Sequence, residues 1–172
     1  MQNIFNKSLS KKNLPSVLAV AILGSLNHFL YDWTGGSSFA ALFCPINESP
    51  WEHLKLLFFP FLFVTLGTAA LYRFLDRRFF YCRFLGVLCG MAFILISFYT
   101  YTGIWGTHVL ILDLLIFFLG VVLSFSAARH FCRTRKQIPS ATLIFFLWGA
   151  GIFFFFVFTC FPPGIPLFFP YA

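Results

Sequence analysis

Five apolar runs, each close to the length of a membrane crossing, leave this chain few folds to choose from. A helix needs about 20 apolar residues to traverse the hydrocarbon of a bilayer. Residues 15–33, 51–74, 84–101, 108–128 and 141–161 each approach or exceed that length, and together they occupy most of the 172 residues. Composition rules out packing such helices inside a soluble domain. Hydrophobic residues make up 60% of the chain, charged residues 10%, and Phe occurs 28 times. A soluble domain carries about a quarter charged residues and exposes too much surface to hide so many rings. No run alternates as a barrel strand does, no internal repeat is visible, and an odd number of spans excludes two equal inverted halves. The expected fold is all-α: a polytopic integral membrane bundle of five transmembrane helices in a single domain, 1–172.

Lys7, Lys11 and Lys12 before an apolar run imitate a signal peptide. The run is long and no A-x-A cleavage site follows, so it is read as the first span. Charge then predicts orientation. Lys7, Lys11 and Lys12 precede span one, Arg73, Arg77, Arg78 and Arg83 fall between spans two and three, and Arg129, Arg133, Arg135 and Lys136 between spans four and five. All lie on one side, and of the basic residues only Lys55 lies on the other. The positive-inside rule places the N-terminus inside and the C-terminus outside, with the net charge of +7 drawn to anionic headgroups of the inner leaflet. Nucleic acid is not an expected partner, since no basic stripe is interleaved with exposed aromatics. Nucleotide is not expected either, since no Walker or dinucleotide glycine motif occurs.

Two outer segments do not span. The loop 34–50 opens with Gly35-Gly36, closes with Pro45-Ile46-Asn47-Glu48-Ser49, and is apolar between, so it lies on the membrane surface or dips between helices. The tail 161–172 holds Pro162, Pro163, Pro166 and Pro170 and cannot continue the fifth helix. It either folds over the outer end of the bundle or forms an interfacial aromatic anchor. The five cysteines show no zinc spacing. Cys44 and Cys160 share the outer side, which permits a disulfide but says nothing of the distance between them.

Acid and imidazole gather at the outer end. Ser49-Pro50-Trp51-Glu52 has the form of a capping box, with Ser49 accepting from the Glu52 amide and Glu52 reaching back to the Ser49 amide. Lys55 can pair with Glu52 or Glu48. His28 and Asp32 share a face of span one that continues through Ser25, Gly24 and Ala21. Asp113 heads a similar face through Gly120, Ser124 and Ala127. Small residues mark helix contacts in membranes, so His28 and Asp113 are expected to point into the bundle at a similar depth, with His53 near them. His108 is an interface residue. Ionisable groups on packing faces require pairing or hydration. They form either a metal or acid–base site open to the outside, or a structural network joining the helices. The spacing is not that of a known metallopeptidase motif.

The runs His28-Phe29-Leu30-Tyr31-Asp32-Trp33 and Asn47-Glu48-Ser49-Pro50-Trp51-Glu52-His53-Leu54-Lys55 resemble a family of small bacterial integral membrane proteins known as a domain of unknown function. Tyr99-Thr100-Tyr101-Thr102-Gly103, Asp113 and the tail Pro162-Pro163-Gly164-Ile165-Pro166-Leu167-Phe168 fit the same pattern. The resemblance implies a multi-pass protein of the bacterial cytoplasmic membrane, and it brings no activity with it. The family tail usually has His after the paired prolines, where Gly164 stands, and Asp-Pro where Phe169-Pro170 stands.

Three functions compete. In the first, His28, Asp32, His53 and Asp113 hold a divalent metal such as zinc, and Glu48 or Glu52 acts as general base in hydrolysis or group transfer on a lipid or membrane peptide. In the second, the same groups couple protons or cations to transport, as a transporter or channel component. In the third, the chain is a non-catalytic assembly partner of another membrane protein.

Overall fold

The structure is a computed structural model that describes residues 2–73 and 76–170, with side chains from residue 14 onward. The expected end of the second span at residue 74, the last two residues of the tail, and the side chains of Lys7, Lys11 and Lys12 lie outside the described residues. Helices α1 (Gln2–Trp33), α3 (Pro50–Leu71), α4 (Arg77–Trp105), α5 (Leu110–Thr134) and α6 (Ala141–Cys160) carry the five apolar runs. Each contains a segment long and apolar enough to cross a membrane, as a multi-pass membrane protein requires. A short α2 (Ser38–Ala41) lies in the loop after α1, and a 3-10 turn (Pro166–Phe168) lies in the tail. Among the described residues there is no strand.

The starts and stops follow local chemistry. Ser49, Asp76 and Ser140 cap α3, α4 and α6, their side chains accepting from Glu52 N, Arg78 N and Leu143 N, amides that a helix cannot satisfy itself. Gly106 ends α4 at φ 76°, a left-handed C-cap that glycine adopts without strain. The chain runs up and down, so one end gathers His28, His53 and His108, and the other gathers the arginines between α3 and α4 and at the end of α5.

Helix α3 lies at the centre. Its Leu54, Leu57, Phe58, Phe59 and Phe61 are nearly or fully buried. Aromatic contacts join it to α6: Phe58 meets Phe155 at 4.9 Å and Trp51 meets Phe155 at 4.8 Å between ring centroids. The tail returns over this seam, burying Phe168 against Trp51 and Phe158. Many remaining large apolar side chains, such as Leu115, Phe146 and Phe153, are exposed on the outside of the bundle, the surface a lipid solvent would cover. At the basic end Arg78 donates to the carbonyls of Cys132 and Arg135, tying α4 to the end of α5. Arg83 is buried there, with its guanidinium carbon 4.5–5.4 Å from the ring centres of Phe61, Phe79 and Phe125, so cation–π attraction compensates part of its desolvation.

Candidate functional site

Site geometry begins with the loop that follows α1. Lys55, on the second turn of α3, is fully buried and spends its three donors on Ala41 O (2.8 Å), Cys44 O (3.3 Å) and Glu52 Oε2 (2.7 Å). Glu52, also buried, accepts from Ile46 N at Oε2 (3.1 Å) and from the Thr159 hydroxyl at Oε1 (3.1 Å). Asn27 on α1 adds a bond to Phe43 O. The loop is therefore strapped across the end of α3 from both flanks. The expected capping box is only half made. Ser49 does cap Glu52 N, but Lys55 draws the Glu52 carboxylate inward, and Asn47 Oδ1 takes the Ser49 amide instead (2.9 Å).

This strap sets Glu48 beside two imidazoles. Glu48 Oε2 lies 3.2 Å from His53 Nε2, and Oε1 lies 3.9 Å from His28 Nε2. The two rings are 5.5 Å apart between centroids, and one ligand atom from each of the three residues lies within 4.8 Å of the others. His53 Nδ1 sits 3.0 Å from Ser49 O. A carbonyl oxygen can only accept, so Nδ1 carries the proton, and in a neutral ring Nε2 is left as a lone pair. That lone pair faces a carboxylate oxygen. Two electron-rich atoms at this separation require a positive charge between them, either a second proton or a metal cation. The hydrogen bond from His53 holds the Glu48 carboxyl below the usual carboxylate range, helped by the nearby charges of His28 and His108.

The expected ligand set is thus rearranged. His28 and His53 are brought together, and Glu48, expected as a base, is the third member. Asp113 accepts a short hydrogen bond from Tyr101 Oη and meets His108 Nδ1 at 3.3 Å, in a separate cluster within electrostatic reach of His53. Asp32 is exposed at the end of α1, outside the three-residue group. Glu52, the other expected base, has its carboxylate filled by Lys55, Ile46 and Thr159. Two contributors escaped the sequence reading. Thr159 is one hydroxyl in the apolar run of α6, and only the fold could match it to Glu52. His108 was read as an interface residue, although its spacing from Asp113 around a helix start was visible. Cys44 and Cys160, which the sequence allowed to pair, are both free thiols. Cys44 instead bonds to Ala40 O, and burial pushes its thiol pKa up.

A family model described as Family of unknown function (DUF6512) matches residues 1–171. No curated protein and no solved structure matches the chain.

Proposed function

We propose that this chain, which belongs to that family of unknown function, holds a divalent metal ion at His28, Glu48 and His53 and uses it in hydrolysis or group transfer on a lipid or membrane peptide. The observation that carries the reading is the Glu48–His53 pair, whose facing atoms need a proton or a metal cation between them while Ser49 O fixes the outer nitrogen of the ring. Imidazole ligands of metals characteristically donate their second N–H to such a carbonyl. Three protein ligands with room for a further one is the catalytic pattern for zinc, whose bonds of about 2 Å would draw the three atoms roughly 3–3.5 Å apart. Glu48 and His28, with side chains 70% and 37% exposed, are free to rotate by that much. When bound, the metal would supply Lewis acidity towards a carbonyl or phosphoryl oxygen. The middle of the bundle, where Leu57, Phe58, Phe59, Phe61, Val121 and Phe125 are buried, favours chemistry at one end over a transport path, which would need polar lining on both sides.

Metal content of the detergent-purified protein, measured by mass spectrometry, tests this. Near-stoichiometric transition metal is expected in the wild type. His28→Ala and His53→Ala should each weaken it by more than the roughly 10–100-fold typical of losing an outer-sphere partner. Metal-free wild type that stays folded and takes up none on loading would sink the proposal. Affinity should also fall on acidification. The protons that compete are on the two imidazoles, whereas Glu48 is held below the ordinary carboxylate range and remains ionised. As the two histidines protonate, the apparent affinity should therefore drop by up to roughly a hundredfold per pH unit, one proton from each. A loss that begins only in the carboxylate range would implicate Glu48 alone.

The bacterial cytoplasmic membrane is the proposed setting, with the histidine end outside and the basic end inside, as the positive-inside rule requires. Cys160 is exposed at the histidine end and Cys44 is buried there. In intact cells a membrane-impermeant maleimide should therefore label Cys160 and spare Cys44. Labelling of Cys160 only after permeabilisation would reverse the orientation.

A further inference from the structure

The metal reading leaves one cluster at the histidine end without a part to play. His108 precedes α5, Asp113 lies in its first turn, and Tyr101 lies near the end of α4. The Tyr101 hydroxyl donates to Asp113 Oδ1, and the Val109 amide donates to Tyr101 Oη at 3.3 Å. Asp113 Oδ2 is then left for His108 Nδ1, at 3.3 Å. The carboxylate can only accept, so Nδ1 carries the proton and Nε2 of the neutral ring is free to take one. The His108 side chain is 54% exposed, so the ring is open to water. The titratable groups around it are Asp113 in the first turn of α5, the Tyr101 phenol on α4 and Glu48 on the loop, which feels the charge of a protonated His108 in turn. A carboxylate behind one nitrogen, with the other free, is the arrangement that lets imidazole act as a general base and then as an acid.

We propose that His108 is the proton-transfer group of the His28–Glu48–His53 site, with Asp113 and Tyr101 as its positioning residues. The inference rests on the metal reading and adds the acid–base half that it lacks, since Glu52 is committed elsewhere. The O–H bond of a water breaks as its oxygen attacks the substrate's carbonyl or phosphoryl centre. The proton passes to His108 Nε2. The same proton then goes to the leaving oxygen or nitrogen as its bond to that centre breaks. The step is proton-balanced, needs no oxidant or reductant, and suits an ester, amide or phosphoester whose leaving group must be protonated.

Cobalt(II) loaded into the detergent-purified protein gives a readout that does not depend on knowing the substrate. Its visible absorption, followed from about pH 5 to about pH 9, should depend on pH differently in the wild type and in His108→Gln, because only the wild type carries a proton acceptor at that place. His108→Gln should keep the cobalt stoichiometry and lose the source of that difference, the ring nitrogen, without losing the metal. Asp113→Asn should also keep the stoichiometry and alter the pH dependence, because the imidazolium loses its carboxylate. Fully loaded His108→Gln with an unchanged titration overturns the proton-transfer role and leaves the metal site standing. Folded wild type that binds no cobalt overturns the metal reading, and this role with it.

Discussion

Substituting Glu52 by Gln or Lys55 by Met, one at a time, should destabilise the protein by about 3–5 kcal/mol each, the range seen when one partner of a buried ion pair is removed. Both side chains are essentially inaccessible, at 4% and 0% exposure, so neither remaining partner could recover water. Loss of Lys55 also frees the carbonyls of Ala41 and Cys44, and neutralising Glu52 weakens its bonds from Ile46 N and Thr159. These bonds hold the loop that carries Glu48, so each variant should also weaken metal binding, although neither residue touches the site. The double variant Glu52→Gln/Lys55→Met leaves no uncompensated charge and should cost well under the sum of the singles. Unfolding titrated with SDS in mixed micelles would measure all three. Additive losses would mean that the pair is not coupled and that the loop is held by its apolar contacts alone.

The architecture was legible because a bilayer imposes a length and a polarity that a sequence displays directly. The apolar runs became helices, and the caps at Ser49 and the small-residue face through Gly120 and Ser124 were readable from spacing within one helix. The register of that face was read less well: Ala128, not Ala127, is the buried residue at its far end. The site was legible only in part. His28 and His53 belong to different helices, and whether they meet depends on how α1 packs on α3. Gly24 decides this by letting α1 approach Leu56 O and the Phe117 ring. The position of Glu48 was harder still, because it follows from Lys55 turning inward to carbonyls up to 14 residues earlier. A lysine read from sequence is a surface charge by default. Asp113 was expected beside His28 from matched depth alone. Depth does not fix azimuth, and Tyr101 and His108, nearer on its own hairpin, claimed the carboxylate.

Gly90→Leu should separate α4 from α5 and cost at least about 3 kcal/mol, the upper end of ordinary overpacking. The two helices meet backbone to backbone. A β-carbon on Gly90 would overlap the Ser124 hydroxyl and come within 2.8 Å of Gly120 O and 3.0 Å of Leu57 Cδ2. One turn earlier, a β-carbon on Gly86 would come within 2.7 Å of Ala128 Cβ and 3.0 Å of its amide nitrogen. Backbone atoms cannot rotate away as side chains do, so the helices must part. In lipid there is little hydrophobic force to re-close them, because close packing itself supplies the association. Gly149 is the matching control: nothing lies within 4 Å of its would-be β-carbon, and Gly149→Ala should stay within about 0.5 kcal/mol of wild type. The consequence for the site is specific. Tyr101 and Asp113 stand on the two helices of this hairpin, so parting them should break the Tyr101–Asp113 hydrogen bond and release His108. The loop-borne Glu48 and the pair His28 and His53 lie on other elements and should still bind metal. In cobalt-loaded Gly90→Leu, retained metal with the pH dependence of His108→Gln is the expected result. Wild-type resistance to SDS would show that the close approach of α4 and α5 does not hold the bundle together.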